Sequence, residues 1–476
     1  RRRSRRTIQN SHSHHWRGRR TRTILTALML GLAATSAPAE SITATLSDAY
    51  TNSGLIDRNR ATLRAADEEV AQAVALLRPS LNYAVSTDYS RTPSLARESL
   101  TASFTIAASL TLHDFGRNEL AVESQKELVL ATRQSLLSVE QQVLFTAVTA
   151  FFDVREAIET VALRENNVRL ITQELRAAED RFEVGEVTRT DVAIAQSRLA
   201  AARASLAAAQ GDLLVANANF TEAVGRAPGP LVQPSSLPRV PANVDAAKGL
   251  ARQLNPSLRQ AQHAVTAAEL GLERARRAVY PTVSGTASNT LSFSDDSSSS
   301  TRTSSVGVEI SGPISQGGRL NSLAREAFAV LDQSRADVHL ATLSADRAVD
   351  AAYANLAVAR AQNIATDEQI RAATVAFRGV REEATLGART TLDVLDAEQE
   401  LLDARAAKVS AVAAEFRAAY GVLQATGQLT AQSLQLPVQL YDPAGYYRLV
   451  DSAPQYLPKS PAGQQVDRIL ESLGKN

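Results

Sequence analysis

Two stretches of the chain place a threonine three residues ahead of an aspartate: Thr188-x-x-Asp191 and Thr390-x-x-Asp393. That spacing suits a capping box, in which hydroxyl and carboxylate satisfy the free N–H groups at the start of a helix. Each follows a glycine, Gly185 or Gly387. Capping is the favoured reading of both aspartates, because the pattern occurs twice. The second stretch carries two further charges: Arg389 stands where the first has Val187, and Asp396 where the first has Ile194. A charge gained in one copy only is not required by the shared turn geometry. On a helix Asp393 and Asp396 share one face. Carboxylates lining an opening favour cations and resist anions; the same spacing also suits a solvated helix face.

The remaining chemistry is excluded more than offered. The chain has no Cys, which rules out disulfides, Cys-ligated zinc, iron–sulfur clusters and thiol nucleophiles. It also removes the lipid-attachment cysteine of a bacterial lipoprotein. His113, His263 and His339 lie in unrelated segments without metal-ligand spacing. No P-loop and no nucleophile elbow occurs, so the reading is a non-enzyme without cofactors.

The elements that position these residues follow from pattern. Residues 1 to 22 carry nine Arg and no acid, and an apolar run from Ile24 to Ala34 leads to Ala37-Pro38-Ala39. This predicts a secretory signal peptide over 1–39, too short in its apolar part to span a bilayer stably. Beyond it stand 42 basic and 50 acidic residues. That acidic balance argues against nucleic acid as a partner.

The second half restates the first at a constant offset of 202: Pro79 and Pro281, Gly116-Arg117 and Gly318-Arg319, Gly185 and Gly387, Asp191-Val192 and Asp393-Val394, Gly225 and Gly427. The expected organisation is a first repeat over 40–227, a linker over 228–246, a second repeat over 247–429 and a flexible tail over 430–476. Within each repeat a helix (46–78; 247–279) ends before a proline. Two strands, a very long helix, a glycine turn and a second long helix follow.

The strands, within 80–112 and 281–315, alternate cleanly. Phe104, Ile106, Ala108, Leu110 and Leu112 interleave with Ser103, Thr105, Ala107, Ser109 and Thr111, and Val306, Val308 and Ile310 with Ser305, Gly307 and Glu309. Period two means one apolar and one polar face, and about ten residues is the length a transmembrane strand needs. Asp295 to Ser300 reads as an external hairpin tip. Tyr83, Tyr89, Phe104 and Phe293 are candidate interface anchors. Four strands cannot close a barrel, and open edges are not tolerated in lipid, so several chains must pool their strands.

The helices carry heptads. Leu137, Leu144, Phe151 and Ile158 recur every seven residues, as do Ala195, Ala202, Ala209, Ala216 and Ala223, and Ala397, Ala404, Ala411, Ala418 and Ala425. This predicts left-handed coiled coil, the alanine seams allowing close approach. At 1.5 Å per residue the helix expected from Arg117 to Phe182 is about 100 Å long. The two shorter helices of a repeat together match that length, so they stack end to end beside it. The fold class is thus mainly α with a small β-barrel contribution.

These features resemble the TolC family of outer-membrane exit ducts. The likeness rests on the duplicated helix–strand–strand–helix–helix unit, on Arg181-Phe182-Glu183-Val184-Gly185 with Thr190-Asp191-Val192, and on Leu386-Gly387-Ala388-Arg389-Thr390-Thr391-Leu392-Asp393-Val394. Phe115-Gly116-Arg117 and Gly317-Gly318-Arg319 resemble the family's strand-to-helix junction. The resemblance implies a homotrimer with a shared twelve-stranded barrel in outer-membrane lipid of a Gram-negative bacterium. It also implies a long periplasmic helical tunnel, docking to a periplasmic adaptor protein, and an inner-membrane ABC or proton-driven pump that supplies the energy. Its periplasmic gate would comprise Thr190, Asp191, Arg389, Asp393 and Asp396, with Arg389 linked to Thr190 and Asp191, and rings of Asp393 and Asp396. The adaptor-docking turns would be Val184, Gly185, Thr188, Leu386, Gly387 and Thr390. Ala384 stands where the family's example has an aromatic gate residue, which implies a mouth that opens more readily. The competing reading is a periplasmic coiled-coil adaptor without a pore, which needs no lipid-facing stripe. A porin devotes most of its chain to strands.

Overall fold

Serine and asparagine punctuate the first helices of the two repeats. In the computed structural model, which describes residues 40–92, 97–295 and 300–453, the helix expected over 46–78 is two helices, α1 (Ile42–Asn52) and α2 (Gly54–Ala75). Ser53 ends the first and caps the second, its hydroxyl accepting from the Ile56 N–H. The stretch 247–279 likewise divides at Asn255 into α5 (Val244–Leu254) and α6 (Pro256–Arg276), followed by a 3₁₀ turn, Arg277–Val279. Asn255 accepts from Ser257 and Leu258 N–H groups, and Pro256 takes the first helical position, where its missing N–H costs nothing. The two breaks are 202 residues apart. Local capping by short polar side chains overrides a run that reads as continuous helix.

The long elements follow the expected plan: β1 (Ser80–Thr92), β2 (Arg97–His113), α3 (Arg117–Glu183), α4 (Arg189–Val224), β3 (Thr282–Ser294), β4 (Thr301–Ser311), α7 (Arg319–Thr385) and α8 (Thr391–Ala425). A four-residue helix, α9 (Tyr447–Val450), lies near the end of the described chain. Helix α3 packs along α4 and along α1–α2, while α7 packs along α8 and along α5–α6. The short helices of each repeat meet end to end. A Cβ added at Gly225 would lie 2.7 Å from that of Asn52, and one at Gly427 would lie 2.6 Å from the Leu254 carbonyl oxygen. Both glycines have positive φ, and glycine alone fits this double demand. The alanine seam is buried where expected, at Ala195, Ala202, Ala209, Ala216, Ala404 and Ala411.

The sheet is antiparallel in the order β1-β2-β3-β4. Its register sets Tyr83 beside Ile106, Val85 beside Phe104, Phe104 beside Leu291, and Val283 beside Ile310 on one face. The other face is lined with hydroxyls that pair across strands: Ser80–Ser109 at 2.8 Å, Ser86–Ser103 at 2.8 Å, Thr105–Thr290 at 2.9 Å and Ser288–Ser305 at 2.7 Å. The apolar face is open, with Leu81 74% and Val306 89% exposed. Among the described residues α3 alone is a helix long and apolar enough to cross a bilayer, and more than half of its apolar window is buried inside the protein. The proposed leader over 1–39 and most of the 295–300 hairpin tip lie outside the described residues.

The main core sits at mid-length. Phe152 stacks on Phe416 with centroids 4.9 Å apart and meets Phe151 edge-on at 5.2 Å, with Leu144, Phe220 and Leu429 around them. Residues 430–453, expected as flexible tail, pack on this core; the rest of that stretch lies outside the described residues. Ala431, Leu436 and Val450 are buried, and the Ala431 N–H donates to Glu140 at 2.7 Å. Arg60 lies over the Tyr50 and Tyr441 rings. The segment has no periodicity, but its scattered apolar and aromatic side chains bury enough surface to hold it. Beneath it Asp67 is fully buried, and its carboxylate accepts no hydrogen bond from any described residue. Burial pushes its pKa up to about 6, against the pull of the Arg133 charge.

Candidate functional site at the hairpin turns

Both long helical hairpins turn in the same way. Helix α3 closes with the Glu186 N–H donating to the Arg181 carbonyl at 2.9 Å, and α7 with the Ala388 N–H donating to the Glu383 carbonyl at 2.9 Å. These are the long bonds of a Schellman ending, which needs a left-handed residue after the helix. Gly185 (φ 81) and Gly387 (φ 78) supply it. Nothing lies within 4 Å of a Cβ added at either, so conformation alone requires glycine there.

The next helices start with complete capping boxes. The Asp191 carboxylate accepts from the Thr188 N–H at 2.9 Å and hydroxyl at 2.7 Å, and Asp393 accepts from Thr390 at 2.9 and 2.8 Å. The backbone N–H bonds, then the hydroxyls, hold both carboxyls below the usual range. Val184 and Leu386, related by the repeat, are 71% and 85% exposed beside their glycines.

The two gained charges are already engaged within the chain. Arg389 donates from Nε to Glu383 at 2.9 Å, six residues back on α7. The link to Thr190 and Asp191 that the resemblance implies is not made within one chain; Glu383, near the end of the preceding helix, takes the guanidinium. Asp396 accepts from Arg198 of α4 at 2.6 Å. Sequence reading placed Asp396 beside Asp393 but not beside a cation.

Near these turns the two hairpins lean on each other. Leu395 of α8 is buried among Ile171 of α3 and Ala195, Leu199 and Ala202 of α4. Glu174 of α3 approaches Arg381 of α7 at 3.9 Å. Glu398 of α8 is only 5% exposed, accepts from Asn167 of α3 at 3.2 Å, and its second oxygen has no hydrogen-bond partner among the described residues. Burial, reinforced by the Glu174 charge, raises its pKa to about 7 despite Arg381. Glu398 and Arg198 were both missed by sequence reading. The usable signal was the repeat itself, since Glu398 answers Gln196 and Arg198 answers Glu400. Among the described residues no cluster of His, Asp or Glu is arranged to hold a metal.

The arrangement is therefore a pair of hairpins joined by a breakable seam near their turns, carried on a shaft that ends in a sheet with an exposed apolar face. The profile of a family described as outer membrane efflux protein matches residues 45–226 and 248–431, one match per repeat. The chain belongs to that family. It is 34% identical over 419 residues to the outer membrane efflux protein BepC of Brucella suis, covering 87% of this chain and 91% of that one. It is 24% identical to the outer membrane protein TolC of Escherichia coli over 403 residues, 80% of this chain and 81% of that one. The solved structure of the Campylobacter jejuni CmeC outer membrane channel matches with a TM-score of 0.73 at 16% identity, over 87% of this chain and 89% of that one. As an outer membrane efflux protein the chain is an outer-membrane exit duct with a large periplasmic part.

Proposed function

We propose that three copies of the chain pool their sheets into one twelve-stranded transmembrane barrel and their hairpins into one periplasmic tunnel, through which an inner-membrane pump passes its cargo. The observation that carries this is the sheet. Its edges, β1 and β4, pair with no further strand among the described residues, and much of its apolar face is exposed while hydroxyls pair with one another across the other face. In hydrocarbon such edges must be closed by further strands. A pore-less periplasmic adaptor has no use for an exposed apolar sheet face.

The duct supplies no energy itself, so a periplasmic adaptor and an ABC-type or proton-driven pump complete the system. The relatives AprF and PrtF are protease secretion proteins, which favours a type I secretion pump as one such partner. The turns Val184, Gly185, Thr188, Leu386, Gly387 and Thr390 are the proposed adaptor-docking surface. Thr190, Asp191, Arg389, Asp393 and Asp396 are the proposed periplasmic gate. Since Arg389 does not reach Thr190 or Asp191 in its own chain, that link is assigned to the junction between protomers. The test is single-channel conductance of the purified chain in a planar bilayer, with its mass measured in detergent. Small, cation-selective steps from a trimer are expected. A soluble monomer without conductance overturns the reading.

A further inference from the structure

We propose that Arg198 fixes both the charge and the position of α8 at the mouth of the duct, by holding Asp396 out of the acidic ring. The inference rests on the exit-duct reading above and names a residue that determines its selectivity. Arg198 lies two turns into α4, and its Nη2 is 2.6 Å from Asp396 Oδ1 on α8. The pair sits over the apolar contact that joins the hairpins: Leu199, next to Arg198, and Leu395, next to Asp396, are buried in the same small cluster. A charge pair and a leucine contact at adjacent positions tie the same two helices, so α8 cannot leave α4 without breaking both.

The repeat shows what the pair adds. The residues 202 positions away are Glu400 for Arg198 and Ile194 for Asp396. Applying the repeat relation to this contact would set Glu400 against Ile194, which forms no ion pair. In a trimer built from two hairpins per protomer, the six hairpin junctions therefore alternate: those within a protomer carry the strap and those between protomers do not. Within each protomer the strap holds α8 against α4, and the junctions between protomers do without it.

The pair also changes the charge of the mouth. Asp393 keeps its carboxylate charge while capping α8, whereas Asp396 is compensated by Arg198. The trimer then presents three uncompensated carboxylates at these two positions rather than six. Neutralising Arg198 releases the other three into an opening narrow enough for their fields to overlap within a Debye length.

The experiment compares Arg198→Gln, Asp396→Asn, the double variant, and the swap Arg198→Asp with Asp396→Arg, in planar bilayers under a potassium chloride gradient. Arg198→Gln is expected to raise the cation-over-anion permeability ratio about two-fold and to raise closed-state conductance. Asp396→Asn is expected to lower the ratio while also raising closed-state conductance, because the tie is lost either way. The double variant recovers parent selectivity but not closed-state conductance, and the charge swap recovers both. A conducting Arg198→Gln channel with parent selectivity overturns the proposal, and so does a swap that leaves closed-state conductance as high as in the single variants. A parent chain that forms no channel fails the exit-duct reading instead, which is a separate result.

Discussion

Replacing Glu398 by glutamine removes a buried charge without changing the shape of the seam, and the first repeat already carries glutamine at the matching position, Gln196. The carboxyl is 5% exposed, one oxygen has no hydrogen-bond partner among the described residues, and its pKa stands at about 7 against an ordinary 4.5. That rise corresponds to roughly 3 kcal/mol of differential stability per protomer. The groups facing it are Glu174 and Asn167 of α3, Arg378, Arg381 and Glu382 of α7, and Arg405 of α8. Arg198 of α4 is engaged by Asp396. The sign follows from the raised value. The packed seam prefers the protonated acid, so its penalty is absent below about pH 4.5, grows through the window to pH 7 and is complete above it. Glu398→Gln should therefore melt well above the parent at pH 8, by several degrees, and only slightly above it at pH 5. Circular dichroism of both proteins at matched pH, in the same detergent, checks this. In bilayers the parent should open more readily at pH 8 than at pH 5, and the variant should lose that difference. Equal melting of parent and variant at pH 8 refutes the argument, because it means the carboxylate is already solvated.

Three further outcomes follow. Asp67→Asn should stabilise the chain at pH 8 by about 1–3 kcal/mol, and less at pH 5, since the penalty of the buried carboxyl grows from the ordinary 3.8 and is complete only above its pKa of about 6; urea unfolding at the two pH values measures it. Gly427→Ala should cost more than Gly387→Ala, because both force an L residue to positive φ, about 1–2 kcal/mol, but only the first drives a Cβ to 2.6 Å from the Leu254 carbonyl; their melting temperatures rank them. Thr390→Ala removes one member of a complete capping box and should cost about 1 kcal/mol, with loss of protection confined to the first turn of α8 in hydrogen exchange.

Strands and their faces were legible because side chains alternate with a period of two, and the register sets the apolar side chains on one face and the paired hydroxyls on the other. The long hairpins were legible because a fixed offset aligned glycine, threonine and aspartate in both copies. The breaks at Ser53 and Asn255 were not, since a cap formed by one short polar side chain leaves the apolar pattern on both sides intact. Packing of residues 430–453 escaped for the opposite reason: Ala431, Leu436 and Val450 are buried without any period that marks them. At the turns the capping aspartates could be read locally. The partners of Arg389 and Asp396 could not, because Glu383 competes from the helix before the turn and Arg198 comes from a different hairpin. Only positions where the repeats disagree pointed that way, and Arg198 and Glu398 both stand at such positions.

The abutment of short helices at Gly225 and Gly427 constrains how a duct of this kind can change in length. Each tunnel wall is measured twice, once by a continuous helix and once by two helices that must meet end to end without gap or overlap. An insertion in α3 alone would open the joint between Asn52 and Gly225, and one in α4 alone would drive it shut. A longer tunnel therefore requires matched insertions on both sides of a hairpin, in whole heptads to keep the alanine seam in register, and again in the second repeat so that all the walls end at one level. Single insertions or deletions in the shafts should be rare among functional variants. Those at the hairpin tips of the sheet, which meet no such joint, should be common.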